Sequence, residues 1–218
     1  MEQINIMDRL KDIKFCKKCN MALMNGETEE NCSSCREISE KNKKLELEKQ
    51  NADIERLGGL RCYKEYTIER FDNKDILEEA KEYPNCNLYI YGNTGVGKTH
   101  LATALLRRTE KGKAMSSSDI FRSLRMCEKN EEIRKINELS RIPMLIDDLG
   151  TEKQTEFTYS IIYDIINNRY KNYANGLIIT SNLSMSELAT KMGDDRIVSR
   201  LFQMCKVINL KGKDRRTL

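Results

Sequence analysis

A glycine-rich segment that follows an apolar run constrains the fold of this chain more than any other feature. Residues 86–100 read Cys-Asn-Leu-Tyr-Ile-Tyr-Gly-Asn-Thr-Gly-Val-Gly-Lys-Thr-His, and residues 92–99 match the P-loop pattern G-x-x-x-x-G-K-T. The apolar residues 88–91 predict a strand, and we expect a helix to begin at Lys98. The sequence therefore predicts an α/β domain with a strand–turn–helix unit at its centre.

The residue types of this turn suit a polyphosphate ligand. Glycines let the backbone turn so tightly that successive N–H groups surround an anion, and the N-terminus of the following helix faces the same anion. Lys98 is expected to contact the β- and γ-phosphates, and the Thr99 hydroxyl to ligate Mg²⁺. A glycine-rich turn without a ligand is the alternative, but the Lys-Thr pair favours a nucleoside triphosphate. The predicted nucleotide-binding residues of this segment are Gly92, Asn93, Thr94, Gly95, Val96, Gly97, Lys98, Thr99 and His100.

His100 is the single histidine of the chain. It directly follows Thr99, and no second histidine or carboxylate beside it completes a metal site or a catalytic triad. We therefore expect it to contribute packing or a hydrogen bond rather than catalysis.

A second apolar run ends in two acidic residues. Residues 142–150 read Ile-Pro-Met-Leu-Ile-Asp-Asp-Leu-Gly, which after a P-loop helix is the Walker B arrangement. Asp147, at the carboxyl end of the predicted strand, is expected to hold Mg²⁺ through its water shell. Asp148 is placed to polarise the attacking water as a general base. A buried strand that stops at a solvated turn is the alternative, and the preceding P-loop disfavours it.

Polar residues in the last third of the chain complete the candidate site. Residues 177–182, Leu-Ile-Ile-Thr-Ser-Asn, predict a buried strand. The amide of Asn182 either hydrogen-bonds the γ-phosphate or the attacking water, or simply ends the strand. Arg196 and Arg200 are four residues apart and so lie on one helix face. They either pair with a neighbouring acidic helix or reach a phosphate on an adjacent subunit.

Four cysteines near the N-terminus have the spacing of a zinc site. Cys16 and Cys19 form one C-x-x-C pair, and Cys32 and Cys35 form another after twelve residues. Two such pairs complete a closed, tetrahedral Cys₄ site of the structural type. A redox pair is the alternative, but one C-x-x-C would suffice for it. We therefore predict a zinc ion that supplies the folding energy of a module too small to be stabilised by burial.

The segments between these motifs define the domain organisation. Residues 36–57 are rich in Lys and Glu without Gly or Pro, which predicts an exposed linker helix ended by Gly58-Gly59. We place the boundary there, between a zinc module with its linker helix (residues 1–57) and an ATPase domain (residues 58–218). Within the second domain, residues 117–119 offer an N-cap for a helix that reaches about residue 128.

The composition excludes some classes of protein. No run approaches the roughly 18 apolar residues that a membrane span needs, and the N-terminus lacks a secretory apolar region. We expect a cytoplasmic protein without membrane partners, in which the eight cysteines are metal ligands or buried thiols. The formal net charge of +4 permits nucleic-acid binding without demonstrating it.

Taken in order, these segments resemble the AAA+ helicase loaders of the DnaC/DnaI type and the related IstB ATPases. The resemblance rests on residues 91–102, 145–150, 180–182 and 195–201, and it covers about residues 60–218. The Gly-Lys-Thr-His-Leu-Ala and Ile-Asp-Asp-Leu-Gly segments are far more specific than the P-loop alone. The N-terminal cysteines resemble those of the zinc-containing, helicase-binding module of DnaI-type loaders.

The resemblance implies a five-stranded parallel sheet between helices, ATP and Mg²⁺ as ligands, and ring or spiral assembly. It implies Asn182 as sensor 1 and Arg200 as the arginine finger, with Arg196 as its rival. Arg215 or Arg216 stands where the family places a sensor 2-like arginine. The chain departs from most AAA+ proteins because Asp148 replaces a Glu and because no C-terminal helical lid is expected after the last strand.

Motifs and resemblance together predict an ATPase, slow and partner-stimulated, that loads a replicative DNA helicase onto single-stranded DNA in replication initiation. The expected partners are that helicase, single-stranded DNA and further copies of the chain, and the source expected is a phage or mobile element. One alternative is an IstB-like transposition helper that binds double-stranded DNA and a transposase, which the Cys₄ module disfavours. The other is a nucleotide-gated adaptor without significant turnover.

Overall fold

The chain divides into two units, Met1–Ala52 and Asp53–Leu218. The computed structural model describes residues 14–24, 26–56, 65–109 and 111–215. The boundary predicted at Gly58-Gly59 lies outside the described residues, as does Arg216. None of the described helices is long and apolar enough to cross a membrane.

The first unit contains a short hairpin and the start of a long helix. An antiparallel bridge between Phe15 and Ala22 closes the hairpin, and the backbone N–H of Cys16 donates to the carbonyl of Met21 at 2.9 Å. Asn20 takes a positive φ of 56° in the turn, a conformation that asparagine tolerates well. Helix α1 (Ser33–Arg56) follows and confirms the helix that the sequence predicts for residues 36–57.

The second unit is built on a five-stranded parallel sheet. The strands are β1 (Asn87–Tyr91), β2 (Lys113–Ser116), β3 (Met144–Asp147), β4 (Leu177–Ser181) and β5 (Cys205–Asn209). Their order across the sheet is β2-β3-β4-β1-β5, and every pair is parallel. This confirms the fold class predicted above. Since β3, β4 and β1 are neighbours, the segments that follow their carboxyl ends lie at one edge of the sheet.

Helices cover both faces of this sheet. They are α2 (Lys74–Glu79), α3 (Lys98–Leu106), α4 (Ser117–Arg125), α5 (Lys129–Leu139), α6 (Glu156–Lys171), α7 (Met185–Met192) and α8 (Asp195–Met204). Side chains alternate between the faces along each strand. Leu88 and Ile90 of β1 therefore pack in one apolar cluster with α3, while Tyr89 packs in the other with α6 and α8. The two clusters fix the sheet between its helices.

The structure corrects the predicted helix after β2. Its N-cap is Ser116, whose Oγ accepts the backbone N–H of Asp119 at 3.0 Å, rather than one of residues 117–119. The helix ends at Arg125 instead of near residue 128, and a separate helix, α5, begins at Lys129. A Ser side chain one position earlier satisfies the same orphan N–H groups, so the sequence pattern alone does not fix the start.

Candidate functional site

The P-loop connects the carboxyl end of β1 to the start of α3. Helix α3 begins at Lys98, as the sequence predicts, and its N-cap is Gly97 with a φ of 100°. Gly95 also lies in the left-handed region, with a φ of 80°. A Cβ at Gly95 would lie 1.9 Å from an oxygen of the Asp214 carboxylate, so any larger residue would displace that side chain as well as strain the loop. The backbone is therefore shaped as an anion-binding loop at a helix N-terminus.

Lys98 joins the P-loop to the end of β4. Its side chain is 5% exposed, and Nζ donates to the carbonyls of Gly92 and Asn93 at 2.9 and 2.8 Å. Nζ also donates to Oδ1 of Asn182 at 2.7 Å. These three acceptors are neutral, so a phosphate oxygen would compete for the ammonium group through a stronger, charge-assisted bond. The structure thus brings Lys98 and Asn182 together, as their predicted roles require.

Thr99 and Asp147 form the candidate magnesium site. The Thr99 hydroxyl donates to the two carboxylate oxygens of Asp147 at 3.0 and 3.2 Å. Burial is the main cause that raises the pKa of Asp147, and the neighbouring Asp148 raises it further, while the hydrogen bond from Thr180 lowers it. A hydroxyl and a carboxylate are the oxygen donors that Mg²⁺ accepts, and the cation would compensate the buried charge. The residues present therefore fit the ion.

Asp148 lies at the same edge of the sheet but in a different environment. Its side chain is exposed, and its backbone takes a positive φ of 57°. The backbone N–H of Asp148 donates to Oγ1 of Thr180 at 2.9 Å, and the same hydroxyl donates to Oδ1 of Asp147. One buried threonine thus connects both Walker B aspartates. No sequence motif marks Thr180 itself as functional, although it lies in the segment 180–182 that resembles the helicase loaders.

The aromatic residues before β1 form a cluster around His100. The rings of Tyr66 and His100 stack with centroids 4.9 Å apart, and Phe71 contacts the imidazole edge-on at 5.5 Å. Nε2 of His100 lies 2.9 Å from the carbonyl oxygen of Thr67. Phe71 is 3% exposed. His100 therefore packs and forms a hydrogen bond, as its isolation in the sequence predicts.

Arg215 lies against the P-loop. Its backbone N–H donates to the carbonyl of Gly95 at 3.0 Å, and its side chain pairs with Asp72. The guanidinium carbon is 5.3 Å from the centre of the Phe71 ring. The salt bridge lowers the pKa of Asp72. The segment after β5 is thus fastened beside the phosphate-binding loop, which fits the nucleotide contact predicted for Arg215.

Arg196 and Arg200 lie on α8, as predicted, where both guanidinium groups lie over the Tyr163 ring of α6 and Arg196 also pairs with Asp194 at the start of its own helix. Arg196 forms a bidentate pair with the N-cap residue Asp194, with Nε–Oδ1 at 3.1 Å and Nη2–Oδ2 at 2.7 Å. This pair lowers the pKa of Asp194. The guanidinium carbon of Arg200 lies 4.9 Å from the centre of the Tyr163 ring. The Nε of Arg200 is buried and has no hydrogen-bond partner among the described residues. The charge of Arg196 is therefore the more strongly neutralised of the two.

The four N-terminal cysteines converge on one point. Their Sγ atoms all lie within 4.8 Å of one another, with Cys16–Cys35 at 3.5 Å and Cys19–Cys32 at 3.7 Å. Four zinc–sulfur bonds of about 2.3 Å in a tetrahedron would separate the sulfurs by about 3.8 Å, whereas a disulfide needs about 2.05 Å. The spacing therefore fits a closed zinc site, and these four cysteines are not disulfide-bonded to one another in this structure.

The thiol pKa values support the same interpretation. Hydrogen bonding by the Cys19 backbone lowers the pKa of Cys16 to about 7, whereas hydrogen bonds among the sulfurs raise the pKa of Cys35 to about 12. Four crowded sulfurs cannot all ionise without a cation, and a bound divalent metal removes that conflict. The donor set is therefore chemically suited to zinc.

The sequence is similar to known ATP-binding proteins, as a P-loop site leads one to expect. The family model described as IstB-like ATP binding protein matches residues 69–217. A putative ATP-binding protein of insertion sequence IS21 from Pseudomonas aeruginosa is 28% identical over 140 residues, which are 60% of this chain and 52% of that protein. The chromosomal replication initiator DnaA of Onion yellows phytoplasma is 30% identical over 160 residues, 65% of this chain and 29% of that protein. The matches thus span about half or less of these relatives.

Solved structures share the fold. The DnaC helicase loader superposes with a TM-score of 0.59 at 23% identity, covering 70% of this chain and 100% of that one. DnaI gives a TM-score of 0.60 at 21% identity, with 71% and 96% coverage. AMPPCP-bound DnaA from Aquifex aeolicus gives 0.58 at 26% identity, with 69% and 52% coverage. The second unit therefore has the AAA+ P-loop fold of these proteins.

Proposed function

Because the chain belongs to the family of IstB-like ATP-binding proteins, we propose that it is an ATP-dependent loader that delivers a replicative DNA helicase onto single-stranded DNA. The observation that carries this proposal is the joint presence of two sites, a complete P-loop site in the second unit and a four-cysteine cluster in the first. The structural neighbours include a helicase loader, DnaC, and DnaI. A site that would hydrolyse ATP, in the same chain as a small module that a metal ion would stabilise, suits a protein that holds a partner and releases it on hydrolysis.

The P-loop site would use its residues in distinct roles. The backbone from Gly92 to Gly97 and the Lys98 ammonium group would bind the phosphates of ATP, and Thr99 and Asp147 would hold Mg²⁺. Asp148, whose carboxylate is exposed beside this site, would act as general base toward the attacking water. Bound Mg²⁺ would neutralise developing charge on the phosphates.

Arg200 is the better candidate for an arginine finger that acts on a neighbouring subunit. Its guanidinium group lies over the Tyr163 ring, and its Nε–H has no hydrogen-bond partner in the part of the chain that the structure describes, whereas Asp194 neutralises Arg196. A planar cation stabilises the charge that develops on a transferring phosphoryl group, and a finger supplied in trans makes turnover depend on assembly. Hydrolysis would therefore be slow in the isolated subunit and stimulated by self-association and by partners.

The first unit, which contains the four-cysteine cluster, has side chains suited to binding a protein partner. Among its described residues, Phe15, Met21 and Met24 are 57%, 54% and 70% exposed. Phe15 and Met21 belong to the hairpin that carries the first two cysteines, so the metal would hold them in place. Exposed aromatic and methionine side chains are enriched at protein interfaces. In the proposed function this surface binds the helicase.

A reconstituted loading assay tests the proposal. The full-length protein, the host replicative helicase and ATP are mixed with circular single-stranded DNA covered by single-strand-binding protein, and helicase bound to DNA is measured. Loading should require the protein, and Lys98→Ala should abolish both ATP binding and loading. Met24→Asp should weaken helicase binding while ATP binding is retained. Tight ATP binding by Lys98→Ala, or no association with the helicase in any nucleotide state, would contradict the proposal.

The IS21 relative favours a second candidate, a transposition helper that binds double-stranded DNA and a transposase. The four-cysteine cluster lies outside the segment that matches the IstB-like family, so it is an addition to the shared ATPase domain. Co-purification with a transposase, and affinity for double-stranded over single-stranded DNA, would favour this candidate. A nucleotide-gated adaptor is excluded if measurable turnover is abolished by Asp148→Asn.

A further inference from the structure

The backbone of Asp148 is held in an unfavourable conformation. It is one of three described non-glycine residues with positive φ, at 57°, and it directly follows β3. The left-handed region costs an L-residue roughly 1–2 kcal/mol, so neighbouring contacts must maintain it. Because φ and ψ set the direction of the Cα–Cβ bond, these contacts also set where the Asp148 carboxylate points.

Hydroxyl groups bind both polar backbone atoms of Asp148. Its N–H donates to Oγ1 of Thr180 at 2.9 Å, as described above. Its carbonyl oxygen accepts from Oγ1 of Thr151 at 2.9 Å and lies 3.2 Å from Oγ of Ser117. The first two residues belong to the neighbouring strand and to the same turn. Ser117 differs because it is the first residue of α4, a separate element.

Ser117 also forms a hydrogen bond with the side chain of Glu152, which lies at the end of the same turn. The serine is completely buried, and its Oγ donates to Oε2 of Glu152 at 2.9 Å, a shorter and charge-assisted contact. The other carboxylate oxygen of Glu152 accepts the backbone N–H of Gly150 at 3.4 Å. The Glu152 carboxylate also lies at the N-terminus of α4, where the helix dipole favours negative charge. Hydrogen bonds within the turn from residue 148 to residue 152, together with those from Ser117 of α4, therefore hold this turn in place.

We propose that Ser117 and Glu152 are positioning residues for ATP hydrolysis, which hold the turn after β3 so that the Asp148 carboxylate faces the attacking water. This inference rests on the function proposed above, in which Asp148 is the general base. Ser117 anchors the carboxylate of Glu152, and Glu152 in turn binds the N–H of Gly150. The pair acts on the rate of the chemical step and not on the affinity for ATP, because neither residue belongs to the P-loop.

Glu152 itself is not the base. Its two carboxylate oxygens are both occupied, one by the Ser117 hydroxyl and one by the Gly150 N–H. Taking a proton from water would neutralise the carboxylate and so weaken the hydrogen bonds from Ser117 and Gly150 that close the turn. A glutamine at this position can accept the Gly150 N–H with its amide oxygen and donate its NH2 group to the Ser117 Oγ, which can accept as well as donate, so the charge of Glu152 and its geometry are separable by substitution.

Single-turnover hydrolysis by the full-length protein, with enzyme in excess over ATP, tests the inference. Ser117→Ala and Glu152→Ala should each lower the rate by roughly five- to twentyfold, the effect of a lost hydrogen bond and a displaced catalytic group. The Kd for ATP should change less than about twofold. Glu152→Gln should keep most of the rate. Ser118→Ala, which alters an exposed serine of the same helix, is the matched control and should behave as wild type.

The results of this assay distinguish a failure of the positioning role from a failure of the proposed function. Wild-type rates for both alanine variants would overturn the positioning role and leave the proposed function intact. A rate for Glu152→Gln as low as that for Glu152→Ala would show that Glu152 acts by its charge. If the Kd for ATP rose by about the same factor as the rate fell, the substitutions would have damaged the site generally, and the positioning role would be overturned. If Ser117→Ala does not fold, the two Glu152 variants decide the question. No hydrolysis by the wild-type protein in any assembly would overturn both proposals.

Discussion

Removal of the Thr180 hydroxyl is expected to damage both stability and the magnesium site. Thr180 is completely buried, and its Oγ1 is the acceptor for the Asp148 N–H and a donor to the Asp147 carboxylate. Thr180→Val keeps the shape of the side chain. A buried N–H without an acceptor costs about 1–3 kcal/mol, and a bond to a charged group contributes about 1.5–3 kcal/mol. These two losses add to about 2.5–6 kcal/mol, and because the Asp148 N–H is only part-buried we expect the free energy of unfolding to fall by the lower part of this range, about 2.5–4 kcal/mol.

Circular dichroism is the suitable measurement, because the chain contains no tryptophan. For a protein of this size, in which 1 kcal/mol shifts Tm by about 2–4 °C, the expected loss lowers Tm by roughly 5–16 °C. Thr190→Val is the matched control, since this threonine is exposed and its Oγ1 donates only to the Ser186 carbonyl at 3.1 Å. We expect the control to change the unfolding free energy by less than about 0.5 kcal/mol.

Thr180→Val is also expected to raise the Mg²⁺ concentration that turnover requires. The hydrogen bond from Thr180 lowers the pKa of Asp147, against the effect of burial. Without it, the pKa of Asp147 rises, the carboxylate ionises less readily, and more Mg²⁺ is needed for half-maximal turnover. If Thr180→Val matched Thr190→Val in unfolding free energy and required no additional Mg²⁺, the bridging role of Thr180 would be refuted.

Three further predictions concern individual side chains. Burial raises the pKa of Asp147, so the unfolded chain loses its proton first as pH rises above about 3.9. Asp147→Asn should therefore gain unfolding free energy relative to wild type between pH 4 and 7 in Mg²⁺-free buffer, while Mg²⁺-dependent turnover is lost; a constant difference would contradict this. Arg200→Ala should lower turnover at least about tenfold and Arg196→Ala much less, and mixing Arg200→Ala with Lys98→Ala protein should restore part of it; no recovery would argue against a finger in trans. Metal analysis should find one zinc per chain, absent from Cys16→Ser; zinc-free native protein would favour the redox alternative.

The local parts of the fold and site could be predicted because they depend on neighbours in sequence. The strand at residues 88–91, the start of α3 at Lys98 and the convergence of the four cysteines all follow from short motifs. Helix α5 could not be predicted in this way. Of its eleven residues only Ile136 and Leu139 are buried, so its apolar stripe is too thin to stand out.

The contacts that complete the site could not be predicted because they join distant segments. Ser117 and Asp148 are 31 residues apart in sequence, and Thr180 and Asp148 are 32 apart. They meet only because β2, β3 and β4 are adjacent in the sheet, and strand order is decided by packing across the whole domain. A serine or threonine at a strand end is common in any sequence, so its residue type alone does not mark it as functional.

The left-handed backbone at residue 148 favours an aspartate over a glutamate at this position. Asp and Asn enter this region more readily than longer side chains, because their short polar groups hydrogen-bond locally. Asp148→Asn should therefore retain the Tm and lose turnover. Asp148→Glu adds a longer arm but should lower the unfolding free energy by about 1 kcal/mol. A glutamate variant with wild-type Tm and faster turnover would show that backbone conformation does not select aspartate here. A destabilised glutamate variant with slower turnover would show that the shorter side chain is matched to the turn that carries it.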